Sequence, residues 1–193
     1  TRGAVVTSRM FHLSLVRGGR DGAGEAAAAP SPSPLQRLRR YLPARFFYRL
    51  FNVWPPYLGA GIRVVDVGHD GQSFTVEMAL RPWNQNVVGV QFGGSLYAMC
   101  DPFYMCILME ALGPGYVVWD KAAAVRFRRP GRGPVRARFA VGAEALAEIR
   151  AAVDRDGKHE PVFVAEVRDT SGAVVAEVEK RLWVRRVAPE SSR

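Results

Sequence analysis

The chain has 193 residues and a formal net charge of +9, and apolar residues make up 48 % of the sequence. This length and apolar fraction predict one folded domain with a tail and exclude a wholly disordered chain. The sequence has no uncharged apolar run of about 18 residues, so we predict no transmembrane segment. The positive charge favours anionic partners such as nucleic acid, acidic lipid or a phosphorylated cofactor.

Cys100 and Cys106 lie in one apolar run with no histidine beside them. This spacing fits neither a zinc site nor a disulfide framework, so we predict no metal and no cofactor. It also favours a reducing compartment, and we expect the protein in the cytoplasm. The first twenty residues are rich in arginine and lack acids, which resembles an organelle transit peptide. An organelle matrix is therefore the alternative location.

The N-terminal part of the chain divides into a tail and a helical segment. Residues 18–34 are rich in Gly, Ala, Pro and Ser, and such a segment cannot bury enough apolar surface to offset its chain entropy. We predict a flexible or targeting-like tail over 1–34, one domain over 35–188 and a C-terminal tail over 189–193. Apolar residues at helical spacing then predict an amphipathic helix that Pro43 can divide and that Pro55-Pro56 and Gly59 stop. Its basic face could lie on a membrane, but packing on the domain is the preferred interpretation.

Strand patterns follow the helical segment. Residues 62–67 and 74–80 alternate in polarity around the turn His69-Asp70-Gly71, which predicts a hairpin. Further strands are predicted over 116–127 and 134–143 and, joined by the turn Ser171-Gly172, over 162–167 and 174–184. Residues 145–153 fit either a short helix or a continuing strand.

Residues 94–112 are apolar on nearly all sides of a helix, and Asp101 and Glu110 are the only charged residues among them. A helix with this pattern is buried. The order of a hairpin, one buried helix and then further strands predicts an α+β fold. In that fold an antiparallel sheet wraps around one central helix, with an extra N-terminal helix.

The chemically informative residues surround the start of this helix: Asn86, Gly93, Gly94 and Asp101. A carboxylate within a buried helix is costly unless it is paired or functional, and a general base is one such function. Glycines at a helix start let a ligand approach N–H groups that can hold a developing oxyanion, and Asn86 can orient a water. Structural interpretations stay open: a satisfied core acid or helix cap for Asp101, and a turn residue for Asn86.

The combination of Asn86, Gly89, Gly93 and Gly94 followed by Asp101 resembles the signature of hotdog-fold acyl-CoA thioesterases of the PaaI-like type. The resemblance implies that Gly93 supplies an oxyanion N–H and that Asp101 activates water or attacks the thioester. Asn86 would position the reacting groups. The resemblance also implies a site built across the interface of a homodimer, alone or within a dimer of dimers.

Residues 101–103 and 118–121 most resemble a bacterial branch of this superfamily known only as a domain of unknown function, which also carries an N-terminal helix. Two positions depart from the common pattern. Phe92 stands where many relatives have histidine, and Pro102 removes a helix hydrogen bond beside Asp101. Asp120 and Lys121 lie near the place where relatives have a second polar site residue, although a surface ion pair would also explain them.

A cluster of arginines near the end of the strand 116–127 is the predicted binding site for the phosphates of coenzyme A. The predicted substrate-binding residues are Arg126, Arg128, Arg129, Arg132, Phe92, Asp120 and Lys121. Nucleic acid is the rival partner, but the sequence has no aromatic RNA-binding motif and no zinc finger, so we predict none. Two functions stay open: hydrolysis of acyl-CoA, or acyl binding without turnover. A hotdog dehydratase would need a histidine near the central helix, where none occurs.

Overall fold

The computed structural model of the protein describes residues 34–39 and 41–187. The tail predicted over 1–34 lies outside these residues except for Pro34, which begins the first helix. The predicted C-terminal tail, 189–193, lies outside them entirely. The domain boundaries therefore stay a prediction.

The N-terminal helical segment consists of several short helices. They are α1 (Pro34–Arg39), α2 (Ala44–Arg49), a 3₁₀ helix (Leu50–Val53) and α3 (Pro55–Ala60). Pro43 precedes α2, so this proline divides the segment as predicted. The helical stretch that follows Pro43 ends at Val53, before Pro55-Pro56. These prolines then begin a further helix, α3, where the first helical N–H groups need no partner within the helix, and Gly59 lies inside it instead of ending it. Gly61 ends α3 with a φ of 72° in the left-handed region.

Seven strands form one antiparallel sheet in the order β1-β2-β4-β6-β7-β3, with β5 paired to β7. The strands are β1 (Ile62–Val67), β2 (Ser73–Met78), β3 (Tyr116–Phe127), β4 (Val135–Ala140), β5 (Lys158–His159), β6 (Val162–Asp169) and β7 (Val174–Arg186). Both predicted hairpins form, β1 with β2 and β6 with β7. β3 pairs with β7 on one side, and no strand of the described residues pairs with its other side.

The central apolar segment forms two helices, α4 (Gly93–Ala98) and α5 (Phe103–Leu112), rather than the single helix predicted over 94–112. After α4 the chain closes in tight turns, in which the N–H groups of Cys100 and Asp101 donate three residues back. Pro102, which has no N–H to continue the helix, follows a cis peptide bond, and α5 begins after it. The ambiguous segment after β4 is a helix, α6 (Ala143–Asp156).

The core lies between the inner face of the sheet and α5, and it confirms the predicted α+β fold. Phe103 of α5 contacts Phe74 of β2 and Phe139 of β4, with ring centroids 5.1 and 4.9 Å apart. β4 shows the alternation of a half-covered strand, because Val135, Ala137 and Phe139 are buried while the residues between them are exposed.

The N-terminal helices pack on the domain through a polar contact with α5, as the preferred interpretation predicts. Arg39 of α1 donates two hydrogen bonds to Glu110, one from Nε to Oε1 at 2.6 Å. Tyr48 of α2 donates to Oε1 of the same carboxylate at 2.7 Å. Glu110 is therefore engaged in holding helices together.

Candidate active site

A cavity of about 480 Å³ opens where α4 begins. Four of the predicted site residues line it: Asn86, Gly93, Arg128 and Arg129. Leu96 and Phe127 add apolar surface. The cavity therefore combines backbone amides, an amide side chain and two guanidinium groups, a set suited to an anionic ligand with an apolar portion.

The two glycines at the start of α4 allow a close approach of aromatic rings. A Cβ atom on Gly93 would lie 2.9 Å from Cζ of Phe127, and one on Gly94 would lie 2.6 Å from Cε1 of Phe92. Both rings are themselves exposed, Phe92 by 53 % and Phe127 by 60 %. The N–H groups of Gly93 and Gly94 belong to the first turn of α4 and have no partner within that helix.

Asn86 shapes the loop that leads into the cavity. Its Oδ1 atom accepts hydrogen bonds from the N–H groups of Val88 at 3.0 Å and Val90 at 3.2 Å. Gly89 completes this turn with a φ of 78°. The interpretation of Asn86 as a turn residue is therefore confirmed. A role in positioning reacting groups stays a prediction for its Nδ2 group.

Gln91, which the sequence patterns do not single out, holds the loop that carries the cavity arginines. Its backbone N–H donates to Gly131 O at 2.9 Å, and its Nε2 donates to Gly133 O at 3.0 Å and to Met78 O at 3.3 Å. The side chain is buried, so these bonds are shielded from water. Gln91 thereby ties the turn after β3 to β2 and to the start of α4.

Asp101 lies in the break between α4 and α5, and its side chain is 42 % exposed. Its Oδ1 atom accepts a hydrogen bond from Lys180 Nζ at 2.6 Å. The hydroxyl of Tyr57 donates to its backbone oxygen. Asp101 is thus a paired carboxylate with access to solvent, and it is not among the residues that line the 480 Å³ cavity.

Lys180 is a charged residue in the core that the sequence patterns missed. It is 1 % exposed, and its Nζ atom lies 3.2 Å from Asp120 Oδ1 as well as 2.6 Å from Asp101 Oδ1. It also donates to the hydroxyl of Tyr97 at 3.4 Å. One signal could have revealed it. Every second residue of β7 faces the core, and Lys180 occupies one of these positions. The others are apolar and buried: Ala176, Val178, Leu182 and Val184.

The two carboxylates compete for this single ammonium group. Burial lowers the pKa of Lys180. The hydrogen bond and charge of Asp101 and the charge of Asp120 together outweigh this effect, so the pKa of Lys180 lies above its ordinary value. Burial, together with the neighbouring Asp101, raises the pKa of Asp120 above its ordinary range although Lys180 lowers it. Lys180 is therefore charged at neutral pH, and Asp120 takes up a proton more readily than an ordinary aspartate.

The structure separates the other predicted binding residues from the cavity. Lys121 forms an exposed ion pair with Glu160 at 2.6 Å, as the alternative interpretation predicts. Arg126 and Arg132 do not line the cavity. Arg128 lines it while also bonding to Glu177 at 2.7 Å. Arg129 also lines the cavity, and it forms no ion pair with any of the described residues.

A larger depression of about 870 Å³ lies elsewhere on the sheet, lined among others by Arg136, Arg138, Arg168 and Glu77. Two of these arginines form ion pairs with neighbouring carboxylates, Arg136 with Glu77 and Arg168 with Glu166. None of the predicted site residues lines it. The smaller cavity, which four of the predicted site residues line, is therefore the candidate site.

The fold is that of the hotdog thioesterases. A probable thioesterase from Pseudomonas aeruginosa, itself of unknown function, superposes with a TM-score of 0.64 at 21 % identity, over 75 % of this chain and 94 % of that one. A thioesterase from Haemophilus influenzae gives 0.55 at 16 % identity, over 76 % and 94 %. A protein of unknown function from Chlorobaculum tepidum gives 0.58 at 18 % identity, over 82 % and 100 %. At these identities the likeness establishes the fold alone.

The family described as "Domain of unknown function (DUF4442)" matches residues 44–184. The chain belongs to this family, which confirms the predicted resemblance to a branch of unknown function. A search of curated proteins finds no match. Within the described residues, no helix is long and apolar enough to cross a membrane.

Proposed function

We propose that this thioesterase-like hotdog protein hydrolyses acyl-CoA thioesters, with Asp101 as the catalytic carboxylate. The observation that carries the proposal is the cavity at the start of α4. This cavity is lined by Gly93, Asn86, Arg128 and Arg129. Helix-start amides suit a developing oxyanion, and guanidinium groups suit the phosphates of coenzyme A.

The reaction needs a base, an oxyanion site and a leaving group. Asp101 takes a proton from water, whose oxygen attacks the thioester carbonyl carbon. The N–H of Gly93 stabilises the oxyanion that forms there. The carbon–sulfur bond then breaks, and coenzyme A leaves as a thiolate that takes up a proton. The products are the free acid and coenzyme A.

We propose that a second copy of the chain completes the site, because Asp101 does not line the cavity that holds Gly93. β3 supports a dimer because no described strand pairs with its outer edge, a feature that promotes pairing with another chain. Trp119 and Phe127 on this strand are exposed, as is Phe92 at the start of α4. Sedimentation at micromolar concentration should show at least a dimer, and an active monomer would contradict the shared site.

The alternative is a hotdog protein that binds acyl groups without turning them over. One observation favours it: Oδ1 of Asp101 already accepts a hydrogen bond from Lys180 at 2.6 Å. A carboxylate paired with a cation binds a further proton less readily and is a weaker base. The same hydrogen bond fixes the orientation of the carboxylate, which catalysis also requires.

Thiol release from acyl-CoA substrates of increasing chain length separates the two functions. A thioesterase shows turnover that saturates with at least one chain length, and that length identifies the acyl portion it prefers. A binding protein retains acyl-CoA in equilibrium dialysis yet releases no thiol above the uncatalysed rate.

The buried free thiols of Cys100 and Cys106 agree with the cytoplasm, which stays our predicted location.

A further inference from the structure

We propose that Lys180 is a positioning residue, which holds Asp101 in its charged form and binds one oxygen of that carboxylate so that the other can contact a water. This inference rests on the proposed function of Asp101. The ammonium group of Lys180 is buried, so it cannot itself reach substrate. It binds Oδ1 of Asp101 at 2.6 Å, which leaves Oδ2 of this partly exposed side chain for a water.

The surroundings of Asp101 contain one positive charge. The charged and titratable groups that face it in the described residues are Lys180, Asp120, Tyr57, Tyr97, Cys100 and Cys106. Lys180 alone among these groups is cationic at neutral pH. The other groups are neutral or negative, and a negative neighbour disfavours an ionised carboxylate. Lys180 is therefore the one cation that contacts the Asp101 carboxylate within the described residues.

Asp120 helps to keep Lys180 paired with Asp101 as the pH falls. Its Oδ1 atom is buried, accepts no hydrogen bond with good geometry from the described residues, and lies 3.2 Å from Lys180 Nζ. Burial raises the pKa of Asp120, so this residue takes up a proton as the pH falls. Once Asp120 is neutral, Asp101 is the one carboxylate of the pair that still offers Lys180 a negative charge. The competing carboxylate is thus removed under the conditions in which Asp101 most needs its cation.

The test compares Lys180→Met with Lys158→Met, which removes an exposed lysine on β5. Both variants and the wild type are assayed for kcat/KM with the best acyl-CoA between pH 4 and 9. In Lys180→Met the midpoint of the acidic limb of the kcat/KM profile should move to higher pH by about one to three units, because an opposite charge at this distance has an effect of that size. Lys158→Met should reproduce the wild-type profile. A Lys180→Met enzyme that is folded and keeps the wild-type limb overturns the proposal.

A second measurement does not depend on catalysis. The carboxyl carbon signal of Asp101, assigned by its loss in Asp101→Asn, is titrated by NMR in both lysine variants. Its midpoint should move upwards in Lys180→Met alone, and an unmoved midpoint would refute the role of Lys180. If the wild type hydrolyses no acyl-CoA, the proposed function fails while this titration still decides the role. Should Lys180→Met fold poorly, Lys180→Met with Asp120→Asn is compared with Asp120→Asn alone, and the Asp101 midpoint should again lie higher in the variant that lacks the lysine.

Discussion

At the scale of single residues, Asn86 combines a structural and a proposed chemical role in one side chain. Its Oδ1 atom orders the loop by accepting from Val88 and Val90, whereas the opposite end of the amide is the part that could contact a substrate. The side chain also lines the cavity that holds Gly93. Substitutions that alter one end at a time can separate these roles.

Asn86→Ala should lower the free energy of unfolding by about 1–2 kcal/mol, because two backbone N–H groups lose their acceptor. Asn86→Asp keeps an acceptor at Oδ1 and should restore most of that stability. The aspartate variant has no amide donor, so its kcat should stay at least about tenfold below that of the wild type. Urea unfolding and steady-state kinetics measure the two effects. Wild-type kinetics in Asn86→Asp would show that Asn86 is a turn residue only.

The sequence reveals one half of the candidate site far better than the other. Asn86, Gly93 and Asp101 fall within one short stretch, so their spacing alone marks them as a group. Lys180 is 79 residues from Asp101 along the chain, and the two meet only because β7 lies beneath the break between α4 and α5. A long-range pair of this kind depends on strand order, which local periodicity does not determine.

At the scale of elements, the contact of Arg39 and Tyr48 with Glu110 fastens α1 and α2 to α5. The side chain of Glu110 is largely shielded from solvent, while that of Arg39 is partly exposed. If the cation is removed, the shielded carboxylate is still kept from water and has no partner charge to offset this, so the folded state is destabilised. The N-terminal helices should therefore contribute to the stability of the domain.

Arg39→Met should lower the free energy of unfolding by about 1–3 kcal/mol, since it removes both hydrogen bonds from the guanidinium group and keeps the side-chain stem. Arg37→Met is the matched control, because Arg37 is exposed on the same helix, and its effect should stay within about 0.5 kcal/mol. Chemical denaturation of both variants provides the comparison. Equal stabilities would show that α1 is not fastened to the domain through Glu110.

Element types were more predictable than element ends. The strands and the buried central segment follow from alternation and from all-round apolar character, and both appear in the structure. The break at residues 99–102 does not follow from them, because apolar residues continue on both sides of Asp101 and Pro102. Pro102 was the one local indication of a break. Its effect is to place Asp101 at a helix junction with access to solvent.

At the scale of the whole molecule, burial of weak acids in the core links stability to alkaline pH. Burial raises the pKa of the thiols of Cys100 and Cys106 to about 12 and raises the pKa of the phenols of Tyr48 and Tyr57 as well. The unfolded chain releases these protons at about pH 8.5 for thiols and about pH 10 for phenols. The stability they contribute is thus complete below about pH 8.5 and declines as the pH rises towards the folded values.

The urea midpoint should accordingly stay constant between about pH 7 and 8 and fall steadily above about pH 9. Cys106→Ala removes one of these acids and should make the decline shallower, although the cavity it leaves lowers stability at every pH. Circular dichroism at fixed protein concentration follows the transition. A midpoint that holds up to about pH 11 would contradict the assignment of buried, protonated thiols and phenols.

The most direct test of the proposed function is the turnover of Asp101→Asn with the best acyl-CoA substrate. The asparagine keeps the shape of the side chain and removes the base. General-base assistance is worth about 10²–10⁴-fold, so kcat should fall by that order while KM changes little. Asp120→Asn, measured in parallel, should retain far more activity. A folded, dimeric Asp101→Asn protein that hydrolyses this substrate at the wild-type rate would contradict the assignment of Asp101 as the catalytic carboxylate.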